Sequence, residues 1–356
     1  MSSPSPTPGT AATEPVSWPD AAREVAFKTW LRPLEARFGL LPASLVPASA
    51  DASFRRYLRV QAAQGPLIIM DAPAPLEDVR PFVHVAGLLQ AAGLHVPEVL
   101  AEDAEQGFLL LEDLGSRLLL NELKDAPQPQ ADRWMREATD ALVRMQTRAD
   151  ASSLPPFDEA LLQRELDLFP QWCVQREFGL TWDERQQQQW QQLCRLLIDS
   201  ALAQPTVFVH RDWMPRNLMI CTPNPGVLDF QDAVRGPLTY DIACQLRDAF
   251  HSWDEALEID WAVRWWQAAR QQGLPVPEDF GECWRQIEWM GMQRHLKVAG
   301  IFCRLKHRDH KPRYASDLPR FFDYLTKVAM RYRPLQILLP LIQPLSGRAV
   351  QAGYTF

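Results

Sequence analysis

A strand, a polar loop, a second strand, a tight turn and a third strand can be read between Thr206 and Phe230, and no other stretch restricts the possible fold as sharply. Thr206, Val207, Phe208 and Val209 form a β-branched and aromatic run that enters the loop. The loop reads His210, Arg211, Asp212, Trp213, Met214, Pro215, Arg216, Asn217, and a second apolar run continues from Leu218 to Cys221. Thr222, Pro223, Asn224, Pro225 and Gly226 are turn formers, after which Val227 to Phe230 is apolar again. A hairpin over this segment returns Asp229 to the side of Asn217. It supplies a carboxylate, Asp212, that can accept a hydroxyl proton, together with an amide, Asn217, and a second carboxylate, Asp229, that can share one cation. Oxygen ligands of this kind suit Mg2+, which keeps several waters and takes its remaining ligands from nucleotide phosphates. The implied chemistry is phosphoryl transfer.

A lone H-x-D is common by chance, and its Asp is then a cap or a turn residue. The full HxDxxxxN, with an apolar strand on each side and Asp-Phe after the hairpin, is far rarer, and it favours catalysis. His210 reads as structural, bracing the loop by hydrogen bonding. Asp241, at the start of a helix, reads as structural too, as a cap or as a brace for the loop arginine.

The pattern resembles the aminoglycoside phosphotransferase branch of the kinase-like superfamily, and the run Arg235-Gly-Pro-Leu-Thr-Tyr-Asp-Ile-Ala243 adds to the likeness. Within that branch, Asp51-Ala-Ser-Phe-Arg-Arg-Tyr-Leu-Arg59 and Ile69-Met-Asp-Ala-Pro73 are most similar to the bacterial anomeric kinases of N-acetylmuramate and N-acetylglucosamine in cell-wall recycling. The resemblance spans residues 25 to 340. It implies ATP and Mg2+ as cofactors, a small amino sugar as partner, Asp212 as base, and Asn217 and Asp229 as metal ligands. It also implies adenine hydrogen bonded to backbone near Glu112 to Leu114, in a cleft between two lobes.

The rest of the chain is read as an α+β, protein-kinase-like, two-lobe fold. A disordered stretch over 1–19, rich in Ser, Pro, Thr and Ala, is followed by a nucleotide-binding N-lobe over 20–115 with a small mixed β-sheet. A mainly helical catalytic and acceptor-binding lobe covers 116–356. A helix is expected over 20–39, bent or ended by Pro33, then a hairpin from Phe54, Leu58 and Val60 to Leu67–Met70. A helix over 78–92 stops at Gly93, and strands follow at Val99–Leu100 and Phe108–Leu111. Trp134, Ala138, Ala141, Leu142 and Met145 mark one amphipathic helix face, and Ile287, Met290, Leu296, Ala299 and Phe302 another.

Kinase-like sites pair a strand Lys with a helix Glu. Here Leu67–Met70 holds no Lys and the helix from Pro81 to Ala92 no carboxylate. A lost Lys alone would leave a buried Glu unpaired at a cost of several kcal/mol, so the joint absence indicates a remodelled site. Ser53 and the turn amides are candidates for phosphate oxygens, with Arg55 or Arg56 as the cation; exposed arginines on an edge strand are the competing reading. Asp71 has three readings open: a sugar contact, an anchor for an arginine, or a strand cap. Asp232 and Arg235 are candidates for the acceptor, with surface ion pairing equally open.

Length, composition and charge bound the function. A chain of 356 residues, 47% hydrophobic, is long enough for two lobes. A formal net charge of −7, with basic residues concentrated only at Lys306, His307, Arg308, His310, Lys311 and Arg313, argues against nucleic acid and reads as a solvated helix end. Six scattered cysteines indicate a reduced, cytoplasmic protein. The apolar stretch 335–345 is too short to span a bilayer, so no membrane contact is expected. The chain is expected as a monomer or weak homo-oligomer. The alternatives are another small-molecule kinase acting on an aminoglycoside, choline or homoserine, and a non-catalytic nucleotide-binding module of kinase shape.

Overall fold

The computed structural model describes residues 16–50, 54–74 and 76–347. The chain separates into two compact units. One takes in the chain to Gly87 and Val96–Gly115; the other takes in Leu88–His95 and the chain from Ser116 onward.

In the first unit, α1 (Ala21–Phe38) starts where the Asp20 side chain accepts the Arg23 amide and ends at Gly39, whose φ of +63° suits a residue without Cβ. Pro33 neither ends nor interrupts α1. Phe27, Leu31 and Leu34 on either side of it are buried against the sheet, and that packing outweighs the one backbone hydrogen bond a proline removes. Five strands follow: β1 (Leu41–Ala50), β2 (Arg56–Ala62), β3 (Gly65–Asp71), β4 (Val99–Asp103) and β5 (Phe108–Glu112), with α2 (Arg80–Ala91) between β3 and β4. Their order is β1-β2-β3-β5-β4, and the expected mixed sheet is antiparallel at every pairing. Alternation along the strands turns Leu58, Val60, Ile69, Phe108 and Leu110 toward α1. Phe54 lies outside the hairpin and is exposed. The sequence does not announce β1, because Pro42 and Pro47 argue against a strand; both are tolerated because β1 is an edge strand.

Of the stretch 1–19 expected to be disordered, residues 1–15 lie outside the described residues. Val16 and Trp18 depart from that expectation and pack on the core, with the Trp18 and Phe27 ring centroids 4.7 Å apart.

The second unit is mainly helical: α3 (Leu119–Leu123), α4 (Gln128–Arg148), α5 (Glu159–Leu166), a π-helical stretch Phe169–Glu177, and α6 (Glu184–Leu202). The strands β6 (Thr206–Val209), β7 (Leu218–Met219), β8 (Gly226–Val227) and β9 (Val234–Pro237) carry the loop segment. Then come α7 (Tyr240–Leu246), α8 (Glu255–Gln271), α9 (Phe280–His307), α10 (Leu318–Arg331) and α11 (Leu339–Ser346). β6 pairs with β9, and β7 pairs with β8. On α4, Ala138, Ala141, Leu142 and Met145 are buried, with Met135 in the place expected for Trp134.

α9 is buried on nearly all sides, from Cys283 to Leu305. Besides the expected apolar residues it carries Glu288, Gln293, Arg294, His295 and Lys297 inside, and an interior helix can hold such groups only where partners await them. At Gly300 a Cβ would come within 2.5 Å of the Leu168 carbonyl carbon, so only glycine lets α9 approach the π-helical stretch so closely. None of the described helices is long and apolar enough to cross a membrane.

Candidate active site

The loop after β6 is held by its backbone. Arg211 has φ +75° and Asp229 φ +62°, left-handed conformations that side chains other than glycine adopt rarely and at a cost of about 1–3 kcal/mol each. The buried Asp241 carboxylate stabilises the first of these turns. Its two oxygens accept the amides of His210 (2.7 Å) and Arg211 (3.0 Å). Asp241 therefore braces the loop backbone and does not cap its own helix.

His210 is fully buried. Its Nε2 donates to the Leu228 carbonyl at 3.0 Å and its Nδ1 accepts the Asp212 amide at 3.2 Å, which assigns the neutral Nε2–H tautomer. Burial pushes its pKa down to about 4, against the pull of Asp212, so the ring stays neutral at pH 7 and clips the loop to β8. Through these two bonds it braces the loop.

Asp212 is a different kind of carboxylate. Burial would raise its pKa, but the charges of Lys297, Arg294 and Arg211 outweigh burial and hold it below the ordinary range. Among the described residues no hydrogen bond is made to its carboxylate oxygens. The ion is stabilised from a distance and its lone pairs stay open.

Asn217 Nδ2 donates to the Asp212 backbone carbonyl (3.0 Å) and to Asp229 Oδ2 (3.3 Å). With the amide nitrogen turned to Asp229, Asn217 Oδ1 makes no hydrogen bond among the described residues, while Asp229 Oδ1 accepts Gln231 Nε2 at 3.0 Å. Leu228 N donates to the Asn217 carbonyl at 2.9 Å, continuing the β7–β8 pairing by one rung and bringing Asp229 back beside Asn217 as the hairpin requires. The set of one amide oxygen and one carboxylate fits a divalent cation that completes its shell with water and phosphate.

Sequence reasoning missed the charges behind this loop. Arg211 reaches Glu165 on α5 at 2.7 Å, and Lys297 on α9 contacts the same Glu165 oxygen at 2.8 Å. Gln293 donates to the other Glu165 oxygen at 3.1 Å, and Lys297 also reaches Tyr240 Oη at 3.1 Å. Burial would raise the Glu165 pKa, yet Lys297 and Arg211 lower it overall. Arg294 lies one turn before Lys297 and donates to the Arg247 carbonyl at 3.3 Å. The signal that could have found Arg294 and Lys297 was their spacing of three on a helix otherwise lined by buried residues.

Of the other sequence candidates, Asp232 stays beside this loop, its carbonyl accepting Arg211 Nη1 at 3.4 Å, and Arg235 pairs with Phe208 on β6; the rest of the described ones lie in the first unit. Asp232 and Arg235 are exposed, on and before β9. Asp71 is fully buried, with Oδ1 accepting Arg23 Nε (2.9 Å) and Oδ2 accepting Arg56 Nε (3.0 Å). Of its three readings, the anchor for an arginine is the one these contacts support. Arg55 meets Glu77 at 3.6 Å. Ser53 lies outside the described residues. Glu112 ends β5, and its amide donates to the Glu98 carbonyl at 3.0 Å. Leu114 is buried, in a turn where Arg59 clamps Asp113 (2.5 and 3.0 Å) and donates to the Gly115 carbonyl (2.9 Å).

The profile of the phosphotransferase enzyme family matches residues 44–280. The chain belongs to that family. As a phosphotransferase it has near relatives. An N-acetylmuramate/N-acetylglucosamine kinase of Pseudomonas aeruginosa is 54% identical over 291 residues, 82% of this chain and 85% of its own. Another, from Pseudomonas putida, is 52% identical over 313 residues, 88% of this chain and 91% of its own. Among solved structures, an ADP-bound aminoglycoside phosphotransferase superposes with a TM-score of 0.57, covering 85% of this chain and 96% of its own. At 12% identity that likeness carries the kinase-like fold and nothing more. The fold expectation from the catalytic hairpin is thereby met.

Proposed function

We propose that this phosphotransferase uses ATP and Mg2+ to phosphorylate the C1 hydroxyl of N-acetylmuramate and N-acetylglucosamine, in the cytoplasm, as a step of peptidoglycan recycling. The observation that carries the reaction is an ionised Asp212 with open oxygens on a loop that also presents Asn217 Oδ1 and the Asp229 carboxylate. The acceptor follows from the two relatives, whose names specify both sugars.

Asp212 orients the attacking hydroxyl and takes its proton. The transition state of phosphoryl transfer is loose, so most of the catalysis is positioning and charge neutralisation, and a weak base suffices. A carboxylate held below its ordinary pKa matches an anomeric hydroxyl, which is more acidic than an ordinary alcohol. Asn217 and Asp229 are the residues that would hold Mg2+, and the ion would supply charge neutralisation on the transferred phosphate. In the first unit, adenine bonds to backbone at Glu112 to Leu114, a turn that Arg59 stiffens through Asp113. Arg55 is the candidate cation for phosphate oxygens, because Arg56 is committed to Asp71.

Phosphorus NMR of the product from ATP, Mg2+ and each sugar tests this reading. A C1-phosphate that disappears in Asp212→Asn supports both the reaction and the base. Turnover of an aminoglycoside or amino alcohol in place of either sugar would sink the acceptor assignment.

A further inference from the structure

Close to the catalytic loop, two arginines share one aromatic platform. The Arg216 guanidinium, adjacent in sequence to Asn217, lies 4.8 Å from the centroid of Phe250. Arg313 lies 5.1 Å from the centroid of Tyr314 and donates to its hydroxyl at 3.3 Å. The two rings are 6.4 Å apart, and both pack on Phe302 at 5.6 and 5.2 Å.

Neither of these two cations meets a counter-charge among the described residues, and both lie against a ring of the same aromatic cluster. Of the neighbouring basic side chains, Lys306 and His307 meet Glu177 at 2.6 and 2.7 Å, and Arg308 meets Asp309 at 2.8 Å. Among the described residues, neither Arg216 nor Arg313 has a carboxylate within ion-pair distance. Each instead lies against an aromatic ring, an arrangement that holds a guanidinium in place while its N–H edge stays available for a planar oxyanion. Two guanidinium groups on one aromatic cluster, neither paired with a carboxylate, make a favourable place for an anion.

We propose that Arg216 and Arg313, presented by Phe250 and Tyr314, form an oxyanion site beside the catalytic loop that takes the carboxylate of N-acetylmuramate. This rests on the sugar-kinase reading. N-acetylmuramate differs from N-acetylglucosamine by a carboxylate-bearing ether on C3, so the site acts on one acceptor and leaves the other without a partner for it. A phosphate oxygen would satisfy the same donors, and the test separates the two.

The test compares Arg313→Gln, Arg216→Gln and the double variant with the wild type, using both sugars and ATP. The expected result is a ratio of KM for N-acetylmuramate to KM for N-acetylglucosamine that rises about tenfold or more, the worth of one charge-assisted hydrogen bond. An equal loss with both sugars, together with a raised KM for ATP, would assign the donors to the nucleotide and overturn the carboxylate assignment. An unchanged ratio in folded variants overturns it as well. Arg313 is exposed, so its variant keeps the test decisive if Arg216→Gln fails to fold. If the wild type phosphorylates neither sugar, the sugar reading fails by itself. Calorimetric titration with inorganic phosphate then reads the oxyanion site alone: binding weakened about tenfold in the double variant supports the site, and absent or unaltered binding overturns it.

Discussion

Asp71 and Asp212 are both surrounded by cations, yet the two units use them differently. Around Asp71 in the first unit, Arg23 and Arg56 bond both oxygens directly, and no part of the carboxylate reaches solvent. Around Asp212 in the second unit, Lys297 and Arg294 act from α9 through their charge, while their hydrogen bonds go to Glu165, Tyr240 and the Arg247 carbonyl. A carboxylate capped by its counter-ions holds structure. A carboxylate kept ionised by cations bonded elsewhere keeps its lone pairs for a proton.

The largest expected effect breaks the second arrangement. Asp212→Asn should lower kcat by about a thousandfold or more, within the usual contribution of a positioned acid or base, with little change in melting temperature. A variant within tenfold of wild type would remove Asp212 from the chemistry. The complementary substitution, Asp71→Ala, should cost about 2–3 kcal/mol of stability by removing the charged acceptor of two half-buried arginines, as urea unfolding would report, while the folded fraction keeps its kinetic constants. A raised KM for sugar at unchanged stability would restore the sugar-contact reading of Asp71.

His210 sharpens the contrast through pH. Its imidazole titrates near 6.5 when unfolded and at about 4 when folded. Between those values the unfolded chain binds more protons, so stability falls as pH drops through that window, by up to about 3 kcal/mol. Asp241, pushed up to about 7 by burial, slopes the opposite way but is present in wild type and variant alike. Urea unfolding at several pH values should therefore show a shallower acid loss in His210→Gln than in wild type; equal slopes would place the titration elsewhere. The smallest effect separates Arg55 from Arg56. Arg55→Gln should raise KM for ATP about fivefold, whereas Arg56→Gln should lower stability and leave that KM nearly unchanged. The reverse pattern would make Arg56 the phosphate ligand.

Much of the site is legible in the sequence, because its parts are close together along the chain. Asp212, Asn217, Asp229 and Asp241 fall on one strand–loop–hairpin–helix segment whose apolar runs and turn formers announce themselves. The small sheet is legible for similar reasons, through the Gly65-Pro66 turn and the apolar strand runs. β1 is not, since Pro42 and Pro47 are permissible only on an edge, and edge position is a property of the assembled sheet. Arg56 has the character of a phosphate ligand in sequence, and only the fold places Asp71 within its reach.

The candidate base and the candidate metal-ligand pair are written in one contiguous stretch of chain, since backbone conformation there follows from local residue types. The charge state of Asp212, the neutrality of His210 and the pairing of Asp71 are not. They depend on which charges and carbonyls the fold brings near, from α9 and α1 among others, as far as 85 positions away in the case of Lys297. Electrostatic energy depends on separation in space and on burial, and neither exists until the chain has folded.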